Sequence, residues 1–246
     1  MGYDPVQYVE FFHLAFLDQL GRKLDKRLYA LKGGCNLRFF LGSIRYSQDI
    51  DLDVKTTHVT TLQKTVNTIL GSSGFAMMLR SLSLEVAQIS EPKQTETTQR
   101  WKVQLKAPFG LVFPIKIEFS RRGLDSPVEF EPIHFGVLSM YKLHPIFVPH
   151  YGPTIAFKQK IRALALRTET QARDIWDLFH LINAYAVKEG DGEYIVKACE
   201  NACNISFGDF KDQVLAFFPA DLQMQYNYDT WEQIQLKVIN YLESLR

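Results

Sequence analysis

The sequence predicts an α+β fold in two parts. A core with a mixed or antiparallel sheet spans residues 1–150, and a helical domain spans residues 151–246. Two observations carry this. Strand-patterned segments cluster between about residues 50 and 119 instead of alternating with helices, which argues against a doubly wound parallel sheet. From residue 154 onward the hydrophobic spacing is helical. The chain of 246 residues carries 18 Phe, 11 Tyr and 3 Trp, enough to fill a core without covalent staples.

The elements follow in order. Between residues 5 and 31 apolar Val6, Val9, Phe12, Phe16, Leu17, Leu20 and Leu24 recur near a 3.6-residue period, which predicts a helix. Gly33-Gly34 breaks it, and Asn36 to Leu41 resumes as a short helix. Asp49-Ile50-Asp51-Leu52-Asp53-Val54 alternates acidic and apolar side chains, the period of a strand over 50–54. A further helix is expected over 60–79, with a break near Gly71-Ser72-Ser73-Gly74. Strands over 81–90, 101–107 and 112–119 follow as an antiparallel meander, separated by a polar run and a Pro108-Phe109-Gly110 turn. Five prolines between 127 and 153 mark connecting or short-strand territory. Thr154 is expected to cap a helix to Leu166; helices over 171–187 and from about Thr230 follow.

The net charge is +1, but it is unevenly spread. Residues 181–246 carry five basic and ten acidic side chains, so the larger N-terminal part is net basic and compatible with a polyanionic ligand. Three cysteines are too few for a disulfide scaffold and point to a reducing, cytoplasmic compartment. Cys199 and Cys203 stand at helical spacing without a nearby His pair, so two buried thiols are expected there instead of a zinc site. No segment is long and apolar enough to span a membrane, the N-terminal residues do not read as a signal peptide, and Met1-Gly2 lacks the hydroxyl residue at position 6 that myristoylation prefers.

The chemistry concentrates around Asp49-Ile50-Asp51. On a strand, Asp49 and Asp51 share one face while Ile50 and Leu52 anchor the other. Two carboxylates held side by side repel unless a cation compensates, and hard ions such as Mg²⁺ favour oxygen ligands. Two such ions are the usual device for in-line displacement at phosphorus. Ile115-Lys116-Ile117-Glu118-Phe119 is an alternating strand that can place a third carboxylate, Glu118, beside them. Gly33-Gly34 precedes a short helix, whose N-terminus offers free N–H groups to phosphate. Ser47, two residues before Asp49, puts a hydroxyl within reach of the same site. The six histidines show no metalloprotease spacing, and no Walker or dinucleotide fingerprint is present.

Together these features resemble the nucleotidyltransferase superfamily built like DNA polymerase β. The resemblance narrows on Lys32-Gly33-Gly34, Leu37-Arg38, Arg45, Ser47-x-Asp49-Ile50-Asp51-Leu52, Lys160-Ile161-x-Ala163-Leu164, Arg167 and Arg173-Asp174-x-x-Asp177-Leu178. This set is similar to the AbiEii/AbiGii-type toxins of abortive-infection and type IV toxin–antitoxin systems. Cys35-Asn36 departs from the small hydroxyl residue and Ala usual in that family, and Gln159 from its frequent Glu. The resemblance implies Mg²⁺-dependent transfer of a nucleotide from an NTP to an acceptor hydroxyl, with RNA, and tRNA first, as acceptor. It implies metal ligands in Asp49, Asp51 and Glu118, nucleotide contacts from Gly33, Gly34, Arg38, Ser47 and Lys160, and catalytic roles for Lys160 and Asp174. An antitoxin or operon partner is implied as well, and the helical domain is expected to close over the nucleotide. Transfer to a protein or a small molecule such as an antibiotic is the alternative acceptor. A non-catalytic nucleotide- or partner-binding protein of the same fold is the competitor from another class.

Overall fold

The computed structural model describes residues 3–246. Met1 and Gly2, the site of the myristoylation question, lie outside the described residues. The chain divides into two compact units. One holds the described residues through Phe40 together with Tyr46–Tyr151; the other holds Leu41–Arg45 and Gly152–Arg246.

The first unit opens with helix α1 (Pro5–Lys23). Pro5 occupies its first turn, where the missing N–H costs nothing, and the Gln7 side chain accepts from the Asp4 N–H at 2.8 Å. Strand β1 (Tyr29–Lys32), helix α2 (Gly33–Phe39) and strand β2 (Ile50–Val54) follow. Helices α3 (Val59–Leu70) and α4 (Ser73–Arg80) are split at Gly71-Ser72, and the Ser72 hydroxyl caps α4 by accepting from the Phe75 N–H. Strands β3 (Glu85–Gln94), β4 (Thr98–Lys106) and β5 (Val112–Ser120) come next. The unit closes with β6 (Glu129–Pro132), α5 (Phe135–Met140) and β7 (Phe147–His150).

The seven strands form one mixed sheet in the order β3-β4-β5-β2-β1-β7-β6. The meander β3-β4-β5 is antiparallel, but β5 pairs with β2 in parallel and β1 with β7 in parallel. Leu31, Ile50, Leu52, Trp101, Val103, Ile117 and Phe119 are buried in one cluster with Phe12 and Phe16 of α1 and Phe75 of α4. By strand alternation, the residues between them on β2 and β5 face the other way.

The sequence reading differs from the structure in places with a physical reason. The first helix stops at Lys23, not residue 31, and Tyr29–Lys32 is a strand. A short apolar run such as Tyr29–Leu31 fits a helix or a buried strand equally; here pairing with β2 and β7 decides it. Strands β3 and β4 extend into the polar run between them, reaching Gln94 and beginning at Thr98.

The second unit contains α6 (Pro153–Leu166), α7 (Ala172–Tyr185), α8 (Gly192–Cys203), α9 (Phe207–Gln213), α10 (Ala220–Gln223) and α11 (Tyr228–Glu243). Helix α6 is entered through Gly152 and Pro153, not capped by Thr154. Its neighbours are organised by an aromatic core: Phe210 stacks on Trp231 with centroids 4.6 Å apart, and Trp176 packs edge-on against Phe218 at 4.8 Å. Leu41–Arg45 joins this unit through specific bonds: the His180 Nε2 lies 2.6 Å from the Leu41 carbonyl, and Arg45 is paired with Asp177. Cys199 is buried but Cys203 is exposed, so only one of the two expected buried thiols is found on α8. No helix among the described residues is long and apolar enough to cross a membrane.

Candidate active site

Register across the parallel β2–β5 pair builds the acidic cluster. Ile50 stands opposite Ile117 and Asp51 opposite Glu118. The apolar pair faces the core, so the two acids emerge together on the opposite face. Asp49, one residue before β2, joins them: its Oδ1 accepts from the Lys116 backbone N–H at 3.2 Å. Ser47 and Cys35 hold the approach to this strand, the hydroxyl donating to the Asp49 carbonyl at 2.8 Å and the thiol at 3.2 Å. Ser47 therefore positions the Asp49 main chain.

A lysine sits among the three acids. Lys116 Nζ lies 3.2 Å from Asp49 Oδ2, 3.8 Å from Asp51 Oδ1 and 3.9 Å from Glu118 Oε2. The carboxylates are thus gathered around an ammonium instead of closing directly on one another. Arg100, opposite Glu118 on β4, donates from Nε to Glu118 Oε2 at 2.6 Å. Sequence reading passed over both basic residues. The signal for Lys116 was there: it precedes Glu118 by two on a strand and so shares its face. Arg100 needed the register of β4 against β5, which composition does not reveal.

The second acid of β2, Asp53, has a different fate. It is buried, paired with Lys32 Nζ at 2.5 Å and accepting from the Tyr151 hydroxyl at 2.9 Å. With both oxygens engaged, Asp53 ties β1 and the end of β7 to β2.

Gly33 adopts φ +68°, a conformation that favours glycine, and a Cβ there would stand 3.1 Å from Asp51 Oδ2. The start of α2 therefore passes close against the carboxylate, and a side chain at position 33 would be strained there. No side chain caps α2. Gly34 is buried in its first turn. Arg38 turns elsewhere: its Nε donates to buried Glu10 Oε1 at 2.7 Å and its guanidinium covers the Tyr46 ring at 4.2 Å. Tyr141 also donates to Glu10, at 2.8 Å. Beneath the site, burial lowers the pKa of His13 to about 3 against the opposing pull of Asp51, and burial pushes the Cys35 thiol well up. Both groups are therefore neutral near pH 7.

In the second unit the motif residues form a buried charge network. Lys160 Nζ lies 3.1 Å from Asp174 Oδ1 and 2.6 Å from Asp177 Oδ2. Arg167 Nε donates to Asp174 Oδ2 at 2.8 Å. Arg45 grips both oxygens of Asp177 at 2.9 Å. Asp174 and Asp177 are fully buried. Burial pushes the Asp177 pKa up, but the charges of Arg45 and Lys160 outweigh it and hold the carboxyl below its usual range. Lys160 on α6 and Arg167, just past its C-terminal end, both reach the same acid, Asp174.

Comparison with known proteins adds a family. The family described as "Nucleotidyl transferase AbiEii toxin, Type IV TA system" matches residues 15–240. No curated relative matches the sequence. Among solved structures, MenT4, a nucleotidyltransferase toxin of Mycobacterium tuberculosis H37Rv, is similar over 98% of this chain and 85% of its own, with a TM-score of 0.67 at 17% identity. JHP933 from Helicobacter pylori is similar over 100% of this chain and 93% of its own, with a TM-score of 0.57 at 17% identity. At that identity the likeness carries the fold.

Proposed function

The chain belongs to the AbiEii family of nucleotidyltransferase toxins of type IV toxin–antitoxin systems, and on that premise we propose that it uses Asp49, Asp51 and Glu118 to transfer a nucleotide from an NTP to an RNA hydroxyl in the presence of Mg²⁺. The observation that carries the reading is the acidic cluster gathered around Lys116. Three acids from adjacent strands share one site, and a tethered ammonium already stands where a cation is needed. The donor set is all carboxylate oxygen, which suits Mg²⁺. Once bound, Mg²⁺ would neutralise charge on the polyphosphate and on the departing pyrophosphate.

The chain's own residues do the rest. The N–H groups at the start of α2, beside Gly33 and Gly34, face polyphosphate oxygens. The acceptor oxygen forms a bond to the α-phosphorus as the bond to pyrophosphate breaks. Arg100 and Lys116 both address Glu118 Oε2, and Glu118 Oε1 takes the proton of the attacking hydroxyl. Asp53, Lys32 and Tyr151 hold the strand that presents Asp51. Ser47 and Arg38 act by fixing Asp49 and α2, not by touching the nucleotide. In the second unit, Lys160 and Asp174, to which the family resemblance gives catalytic roles, form one ion-pair network with Asp177, Arg45 and Arg167.

Support for an RNA acceptor comes from the resemblance and from the sheet beside the acids. Exposed Lys102 stands opposite Lys116, and exposed Lys106 follows on β4. They offer a phosphate backbone positive charge along that strand. The three free cysteines suit a reducing cytoplasm, and the family brings with it an antitoxin partner. Incubation with each α-labelled NTP, Mg²⁺ and total RNA tests the reading. Label on an RNA band, tRNA first, is expected. Label on protein or on a small molecule, with none on RNA, would replace the acceptor; label on nothing would remove the activity.

A further inference from the structure

A second group of ligand atoms lies at the other end of the sheet. Glu129 and Glu131 are alternate residues on the edge strand β6, so they share a face, and His150 of β7 stands directly opposite Glu129. One oxygen from each glutamate and one nitrogen of His150 lie within 4.8 Å of one another. Glu131 Oε2 is 3.8 Å from His150 Nε2.

The histidine is unusual. It is 1% exposed, and its Nε2 has no hydrogen-bond partner. Its Nδ1 lies 3.3 Å from the Tyr151 carbonyl, which can only accept, so Nδ1 is the protonated nitrogen. Nε2 then carries the lone pair. The ring is held in plane by Phe40, stacked at 3.7 Å and 7°. A buried imidazole that gives its other N–H to a backbone carbonyl and points a bare nitrogen at carboxylates is the arrangement of a metal-ligating histidine. Burial also keeps the ring neutral by lowering its pKa, and burial together with the charge of Glu131 raises that of Glu129.

We propose that Glu129, Glu131 and His150 bind a divalent transition-metal ion, Zn²⁺ by preference, as a structural site that staples the edge strand β6 to β7. One imidazole and two carboxylates form a three-residue donor set suited to Zn²⁺, with water completing the tetrahedron. The strand β6 is four residues long, mostly exposed, and at the edge of the sheet, where among the described strands it pairs with β7 alone. Short edge strands of this kind are weakly fixed, so an ion here adds what packing does not. The half-exposed glutamate stems can close by the ångström or so that Zn–O bonds require, while the histidine stays fixed. The competing account is a plain ion pair between a protonated His150 and Glu131.

The test uses the full chain carrying Asp49→Asn and Asp51→Asn, so that the catalytic carboxylates do not contribute. The protein is stripped with chelator and titrated calorimetrically with Zn²⁺, and Co²⁺ is added separately to read coordination from its visible absorption. We expect one Zn²⁺ per chain, a tetrahedral Co²⁺ spectrum, and a rise in melting temperature on the order of 5 °C at about a hundredfold excess over Kd. Glu129→Gln/Glu131→Gln, on the exposed side of the site, should weaken Zn²⁺ by more than about tenfold while leaving the metal-free melting temperature unchanged. His150→Gln should do the same where it folds. No Zn²⁺ uptake, or uptake that survives the paired glutamate substitution, overturns the proposal.

Discussion

Replacing Lys116 by Met removes the ammonium among the three acids and keeps the length of the side chain. Its Nζ is 3.2, 3.8 and 3.9 Å from oxygens of Asp49, Asp51 and Glu118. At such distances each unit-charge contact is worth about 1 kcal/mol even at the dielectric of water, and several-fold more at an effective value of about 20. A dication entering this cluster meets the same ammonium as a competitor with twice that repulsion. Lys116 is 27% exposed, so solvent screens part of the effect. A net of about 1.4–3 kcal/mol remains, equivalent to binding roughly tenfold to a hundredfold tighter. The assay is Mn²⁺ binding followed by electron paramagnetic resonance of the free ion, with wild type and Lys116→Met compared at fixed ionic strength. The variant should bind Mn²⁺ more tightly and, in chelator, melt at a lower temperature, because three carboxylates then face one another without the ammonium between them. Equal or weaker Mn²⁺ binding by a folded variant would refute the reasoning: Lys116 would then be no stand-in for a cation.

Other perturbations follow from the same geometry. Gly33→Ala forces a side chain into φ +68° and against Asp51; a loss on the order of 1–2 kcal/mol in denaturant unfolding is expected, with nucleotide transfer falling further than stability does. Lys160→Met leaves two buried carboxylates, one held by Arg45 and the other by Arg167; unfolding should be easier by about 3 kcal/mol, the lower end for a broken buried pair, and an unchanged midpoint would contradict the network. His13 is held neutral in the folded state with a pKa lowered to about 3, so its stabilising contribution is complete above the unfolded value of 6.5 and is lost as the pH falls below it. Between pH 7 and pH 5 that loss is about 2 kcal/mol, and His13→Asn should flatten the pH dependence of the melting temperature in that window.

The fold was legible where side-chain period and chemistry agree. Strand β2 was found at its observed bounds because acid and apolar residues alternate without ambiguity. The α3–α4 break was legible at Gly71-Ser72, where a serine cap follows a glycine. Strand β1 was hidden because Tyr29–Leu31 is uniformly apolar, buried on both faces and only four residues long with Lys32. The parallel contacts β2–β5 and β1–β7 are long-range and leave no local trace. The same asymmetry holds at the site. Asp49, Asp51 and Glu118 could be paired from two short alternating segments, and the register brings Asp51 opposite Glu118. Arg100 and Tyr151 come from strands or loops whose neighbours are set by the sheet order alone. Arg38 shows the limit of motif proximity: it stands on α2 close in sequence to Gly33-Gly34, yet the buried carboxylate of Glu10 claims its guanidinium.

The account stands on Asp49 and Asp51 serving transfer and not stability. Both are partly exposed on the face of β2 opposite the core, so Asp49→Asn/Asp51→Asn relieves repulsion instead of opening a cavity. The decisive measurement is label transfer from an α-labelled NTP to RNA by this double variant, run beside its circular dichroism and melting curve. The account predicts a native spectrum, a melting temperature at or above that of the wild type, and no transfer above background. A folded double variant that transfers label at the wild-type rate would contradict it.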